Sequence, residues 1–125
     1  MHELAITQSI LHIALEAAGA HGAQRIREIR IRMGDYCGVV PQCVQYYFDV
    51  LSRDTAAAGA KLNFIRLPIR MRCRGCGWEG EVDKRHIRCA ACGGTDLALL
   101  QGREFYVESL EAEEPPGKET EHDGN

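Results

Sequence analysis

This sequence has no long apolar run, no marked excess of charge of either sign and no cationic leader, and each absence removes a class of function. Nothing in the 125 residues approaches the roughly 20 consecutive apolar residues of a membrane-spanning helix. The formal net charge is −3, whereas proteins that chiefly grip phosphate backbones carry a strong basic excess, so no nucleic-acid partner is expected. The opening Met1-His2-Glu3-Leu4-Ala5-Ile6 has an acid at position 3 and no basic segment, unlike a secretory signal. What remains is ordinary globular composition, 45% hydrophobic and 26% charged, with six cysteines. A chain of this length has room for one modest core, or for a small core plus a metal-stapled appendage. With no export signal the expected setting is a reducing cytoplasm, where clustered cysteines are more often metal ligands than disulfides.

Apolar spacing predicts a helix over Glu3–Ala18, with Leu4, Leu11, Leu15 and Ala18 on one stripe, broadened by Ile6, Ile10 and Ile13, and with Gly19 and Gly22 as stop signals. Ile29, Ile31 and Met33 alternate with Arg30 and Arg32, the pattern of a strand with one wet face over Ile26–Met33. Pro41 suits a first helical position, and Val44, Tyr47, Phe48 and Leu51 form the stripe behind it. A second strand is predicted over Lys61–Leu67, closed by Pro68. From Arg70 to Thr95 large aliphatic residues give way to Cys, Gly and Arg, a composition that needs a staple to fold. Leu97–Leu100 and Arg103–Leu110 read as further strands, and the last fifteen residues, with six acids and Pro115-Pro116, as a solvated acidic tail. The order is α-β-α-β, a cysteine insert, then β.

The strongest signal is Cys73-Arg74-Gly75-Cys76 and Cys89-Ala90-Ala91-Cys92, two CxxC pairs separated by twelve residues. Each pair closes a tight turn that aims two sulfurs at one point, and glycines at 75, 77, 93 and 94 allow the backbone such turns need. Four thiolates in a tetrahedron suit Zn²⁺ and leave no position for water, which is structural zinc and not a catalytic site. Cys43 is expected to face the core from the second helix and Cys37 to lie in a loop, both as ordinary thiols. A second metal-binding possibility sits at the start. The α-amine of Met1, the imidazole of His2 and the amides leading to Glu3 can close chelate rings about one cation, and deprotonated amides favour square-planar Ni²⁺ or Cu²⁺ over Zn²⁺. The same residues also fit a blander role, an exposed histidine at a frayed terminus and a first-turn acid complementing the helix dipole.

Met-His-Glu at the start, the Gly34-Asp35-x-x-Gly38-Val39-x-Pro41 stretch, the paired CxxC motifs and Gly102-Arg103-Glu104 together resemble the HypA/HybF family. These are metallochaperones that insert nickel during maturation of nickel–iron hydrogenase and, in some bacteria, also serve urease. The similarity covers Met1 to about Glu113. It implies an α+β protein of two lobes: a nickel lobe of two helices and a small mixed sheet (1–68 with 101–112), and an inserted zinc-ribbon-like lobe with four cysteine ligands (69–100); the uncovered tail (113–125) is expected from its acidic composition to be disordered. It implies transported Ni²⁺ held by Met1, His2 and Glu3, structural Zn²⁺ held by Cys73, Cys76, Cys89 and Cys92, and no enzymatic activity. Implied partners are a HypB-type nickel GTPase and the hydrogenase large subunit, with the chain itself a monomer or weak homodimer. Some members place an aspartate in the loop before the second helix; here Cys37-Gly38-Val39-Val40 holds no carboxylate, and Asp35 is the nearest acid. His86 corresponds to a histidine that in some members swings to zinc, and equally suits an exposed position among Lys84, Arg85 and Arg88. The alternative is a zinc-ribbon module for nucleic acid or protein, resting on Arg66, Arg70, Arg72, Arg74, Lys84, Arg85 and Arg88 with Trp78 for stacking. Glu79, Glu81 and Asp83 in the same insert weigh against nucleic acid. No HExxH, P-loop or Ser-His-Asp order points to a hydrolase.

Overall fold

The computed structural model describes residues 2–113. Met1 and the tail from residue 114 lie outside the described residues. Two helices and six strands follow one another as α1 (Glu3–Ala20), β1 (Arg25–Gly34), α2 (Pro41–Leu51), β2 (Lys61–Leu67), β3 (Ile69–Cys73), β4 (Glu79–Val82), β5 (Leu97–Gln101) and β6 (Phe105–Glu113). The strands form two three-stranded sheets, ordered β2-β1-β6 and β4-β3-β5, so the fold is α+β as the sequence implied. By compactness the chain divides into one unit of Arg32–Gly38 with Phe64–Tyr106, and another holding the remaining described residues.

The unit that holds both helices has its own apolar core. Thr7, Ile10, Ala14 and Ala18 are the buried residues of α1, a stripe at i, i+3, i+7 and i+11. The stripe is rotated from the expected one: Leu4 and Ile13 are 46% and 47% exposed, and Leu11 and Leu15 are half-buried. Apolar side chains occur all round α1, so periodicity alone does not single out the packed face. Thr7 is buried because its hydroxyl donates to the Glu3 carbonyl at 2.6 Å, which satisfies the polar atom within the helix. Helix α1 packs on α2, which buries Val44 and Phe48 one turn apart. The chain leaves α1 through Gly22, whose φ of +66° suits glycine. Cys43 is exposed on α2, not buried as expected, because the buried pair Val44 and Phe48 turns position 43 outward.

The cysteine-bearing unit is not a loop held by metal alone. Ile69, Met71 and Cys73 are buried along β3 while Arg72 points to solvent, the period-two signature of a strand. Strand β3 pairs antiparallel with β4 in the register Ile69↔Val82 to Arg72↔Glu79, and with β5 in the register Met71↔Leu99 to Cys73↔Leu97. Strand β6 runs on to Glu113, so Glu111 and Glu113, expected in the tail, belong to a strand. Glu111 has a structural use there, accepting from Arg27 at 3.5 Å.

Candidate metal centre

The two CxxC turns have the same backbone wiring. In the first, the Cys73 amide donates to the Trp78 carbonyl at 2.7 Å and the Gly77 amide to the Cys73 carbonyl at 2.9 Å. In the second, Cys89 donates to Gly94 at 2.8 Å and Gly93 to Cys89 at 2.9 Å. Each turn therefore closes i to i+5 and i+4 to i, and the residue at i+4 is left-handed: φ is +84° at Gly77 and +74° at Gly93. Only glycine takes that conformation without strain. Of the four glycines singled out in the sequence, Gly75 and Gly94 have no positive φ; a side chain at 94 would instead crowd the Cys92 sulfur at 3.3 Å. Arg74 ties the first turn to the entry of β5, its amide donating to the Asp96 carbonyl at 3.0 Å and its guanidinium to the Asp96 carboxylate at 2.8 Å.

These turns gather the four predicted ligands. The sulfurs of Cys73, Cys76, Cys89 and Cys92 all lie within 4.8 Å of one another, with Cys73 to Cys92 at 3.7 Å and Cys76 to Cys89 at 3.5 Å. A tetrahedron with metal–sulfur bonds of about 2.3 Å has edges of about 3.8 Å, so the constellation fits a tetrahedral ion such as Zn²⁺ without rearrangement of the turns. The first cysteine of each pair is buried and the second exposed.

Thiols this close cannot all ionise without a cation. Burial raises the Cys89 thiol, but the amides of Cys92 and Ala91, each donating to its sulfur at 3.3 Å, prevail and bring it down to about 6. At Cys76 the Trp78 amide works downward, yet the neighbouring Cys89 sulfur and burial outweigh it and push the thiol up to about 12. Cys92 is also raised: the Gly94 amide lowers it, but the Cys89 and Cys73 sulfurs prevail. A divalent cation would favour the thiolate form and so displace the protons that Cys76 and Cys92 hold in its absence.

The start of the chain is built differently. His2 is the N-cap residue of α1, exposed, and its imidazole makes no capping hydrogen bond. The first helical amide bonded back to this end is that of Ile6, which donates to the His2 carbonyl at 3.0 Å, so the helix ladder does not use the amides of His2 or Glu3. The Glu3 carboxylate accepts from the Val40 amide at 3.3 Å. Val40 is the N-cap of α2, has no side-chain cap of its own, and is followed by Pro41, with no acid in the first turn. Glu3 thus supplies from α1 the negative group that the start of α2 lacks. Its own amide and the Val40 amide hold the Glu3 carboxyl below its usual value, against the opposing pull of burial. No motif announces this link, because it joins positions 37 residues apart. Met1, the third member of the predicted set, lies outside the described residues.

The remaining residues of interest fall elsewhere. Asp35 accepts from the Arg66 guanidinium at 3.1 Å. His86 is exposed in the turn after β4, bridged to Asp83, and stands outside the four-sulfur group. The basic cluster is interrupted by acids: besides Arg66 with Asp35, Arg72 faces Glu79 at 3.9 Å and Arg74 holds Asp96. Trp78 is half-buried and lies over Gly80, whose lack of a side chain makes room for the indole. The two glycine motifs meet one another. Successive amides of Gly34, Asp35 and Tyr36 donate to the carbonyls of Glu104, Leu67 and Gly102 at 2.8, 3.0 and 2.8 Å. A Cβ at Gly34 would run into the Gly102 carbonyl, which explains why glycine is required there.

A family model described as hydrogenase/urease nickel incorporation, metallochaperone, hypA matches residues 1–112. The chain belongs to the HypA family. Among curated relatives, the hydrogenase maturation factor HypA of Dehalococcoides mccartyi is 39% identical over 114 residues, covering 91% of this chain and 96% of that protein. The hydrogenase maturation factor HypA of Geobacter metallireducens is 37% identical over 113 residues, 90% of this chain and all of its own length. The solution structure of the Ni metallochaperone HypA from Helicobacter pylori superposes with a TM-score of 0.63 at 18% identity, covering 92% of this chain and all of that one. A second HypA solution structure gives 0.66 at 19% identity, over 90% and 96%. At those identities the structures show a common HypA fold, while the family model and the sequence relatives carry the membership. The HypA relatives are named as maturation factors and metallochaperones, not as enzymes.

Proposed function

We propose that this protein carries Ni²⁺ at its N-terminus and delivers it to the large subunit of a nickel–iron hydrogenase during maturation. The nickel donors are the Met1 amine, the His2 imidazole and amide, and the Glu3 amide. The observation that carries the reading is the position of His2 at the very start of α1, with its imidazole uncommitted to capping and its neighbouring amides not needed by the helix. Amides can lose their protons to a metal there without breaking a rung of the helix. The resulting nitrogen donor set favours a planar d⁸ ion and discriminates against zinc. Release follows from the same chemistry: protonation of the amides, or competition from an acceptor, returns the terminus to its metal-free form.

Zinc at Cys73, Cys76, Cys89 and Cys92 has a structural role, since four sulfurs leave no coordination site for substrate. In functional terms residues 1–68 with 101–112 serve nickel and 69–100 serve zinc, although by compactness 32–38, 64–68 and 101–106 group with the cysteines; Glu113 closes β6, and the acidic tail follows it. Partners are a HypB-type GTPase and the hydrogenase large subunit, with urease maturation a second outlet suggested by the family description. The reducing cytoplasm is the compartment in which four free thiols persist as ligands. Nickel titration of protein with a native N-terminus, beside His2→Ala and a version extended by a few residues before Met1, tests the site. The native chain should bind one nickel that both altered forms lose. Equal binding by all three would remove the terminal site.

A further inference from the structure

The C-terminal end of α1 lacks the cation that such ends attract. Aligned carbonyls make this end the negative pole of a helix, yet the last turn of α1 holds no basic residue. Beside it lies a pocket of about 290 Å³ walled by the alanines at 17, 18, 23 and 112, with His21 and Glu113 also lining it. Every lining residue belongs to the same compact unit as α1. Glu113 brings the one formal charge of this lining at neutral pH; it is exposed, and its carboxylate has no hydrogen bond or ion pair among the described residues. Its backbone is fixed, since the Glu113 carbonyl accepts from the Gln24 amide at 3.0 Å. Methyl walls, an exposed carboxylate and a helix C-terminus are together the complement of an ammonium on an aliphatic stem. The stem lies on the methyls, and the charged head stays in water beside the carboxylate.

We infer that Lys118 of this chain occupies the pocket and anchors the acidic tail at the end of α1. The described chain stops at Glu113, itself part of the lining, and Lys118 follows five residues later as the only Lys or Arg of residues 114–125. So short a tether puts the ammonium at an effective concentration of about millimolar or more. The intervening Pro115-Pro116-Gly117 suits a return: Pro116 and Gly117 are the central residues that a type II turn favours, and such a turn brings Lys118 back toward Pro115. Docking also limits where the rest of the tail can go. His122 lies four residues beyond Lys118, at most about 14 Å, whereas the 18-residue α1 sets His2 about 27 Å from this end. Undocked, His122 trails Glu113 by nine residues and reaches about 32 Å. The anchor therefore keeps the imidazole and carboxylates of the tail from competing for metal at His2, a consequence that rests on nickel binding at the terminus.

Digestion of the full-length, zinc-loaded, nickel-free chain with a lysine-specific protease tests the docking, with cleavage at the exposed Lys84 as internal control. Synthetic peptides spanning 109–125, with and without Glu113→Gln, give the intrinsic rates. Cleavage after Lys118 should be about fivefold slower in the chain than in the peptide. Glu113→Gln should recover about threefold of that loss. Ala17→Leu, which fills the pocket from a half-buried helix position, should recover most of it, with the rate at Lys84 constant in both variants. In the wild type with methyl-labelled alanine, nuclear Overhauser contacts should join the Lys118 methylenes to the methyls of Ala17 and Ala23. Because nickel is absent throughout, a failure here is distinct from a failure of the terminal nickel site. Cleavage of the folded chain at the peptide rate would overturn the proposal. So would protection that both variants leave unchanged, or contacts from Lys118 to methyls outside the pocket.

Discussion

Replacing Gly77 by alanine isolates the conformational demand of the CxxC turn from every other effect. At Gly77 an added Cβ meets nothing within 4 Å, and the same holds at Gly93, so neither substitution creates a clash. What each does create is an L-residue at φ of +84° or +74°, a left-handed conformation that costs about 1–2 kcal/mol. Because metal ligation and the folding of the turn are one event, that strain appears in the zinc affinity as a loss of roughly five- to thirty-fold. Gly75→Ala is the control inside the same turn: its φ is ordinary and its Cβ would touch the Cys73 sulfur at 3.6 Å, a normal contact. It should leave affinity unchanged or raise it slightly, through the less disordered unfolded chain. Gly77→Asn should fall between, since asparagine tolerates the left-handed region. Zinc affinity is read by competition with a chromophoric chelator at constant pH. Backbone strain is refuted as the cause if Gly75→Ala is as damaging as Gly77→Ala. It is refuted equally if Gly77→Ala and Gly93→Ala differ by much more than about tenfold, since the two turns are wired alike.

Zinc binding near neutral pH should release at least the Cys76 and Cys92 protons, whose thiols sit above their usual value, so affinity rises with pH; below about 6 the Cys89 proton must leave as well and the dependence steepens. Calorimetry in buffers of different ionisation heat measures the release, and none would contradict the assignment of protons. Glu3→Gln should lower the melting temperature at neutral pH: a carboxyl depressed in the folded chain stabilises above its ordinary value, and that stability is lost as pH falls through the folded value. Melts of the variant and the wild type should therefore converge in acid, and a constant gap would rule out the charge. Chelation, or Cys92→Ser, should expose the arginines between residues 70 and 88 to trypsin while the far-ultraviolet signal of α1 and α2 persists; an unchanged digestion pattern would mean that the sheet β4-β3-β5 holds itself together.

Much of this architecture can be read from the residues, and the misreadings have definable causes. Strand β2 occupies Lys61–Leu67 and ends before Pro68 as the sequence indicates, and α2 begins at Pro41 because a first helical position needs no amide hydrogen. Strands β3 and β4 stay hidden as long as Cys73 is counted as a ligand alone. It is also 2% exposed, and with Ile69 and Met71 it completes an alternating buried face that the intervening arginines mask. The packed face of α1 is hard to find because large aliphatic side chains surround the helix, and small Ala14 and Ala18 are among the ones that pack. At the cysteines, spacing alone finds all four ligands, for each turn is local. The bond from Glu3 to Val40 and the meeting of Gly34 with Gly102 are products of the tertiary fold, and local sequence carries no trace of either partner.

His2 is the residue on which nickel delivery is proposed to depend. The direct measurement is hydrogenase activity in a strain lacking this chain, complemented with the wild type or with His2→Ala at equal protein level, in nickel-limited medium and again with nickel in excess. The wild type should restore activity in both media and His2→Ala only with excess nickel. Full activity from His2→Ala under limitation would show that delivery does not depend on the terminal site.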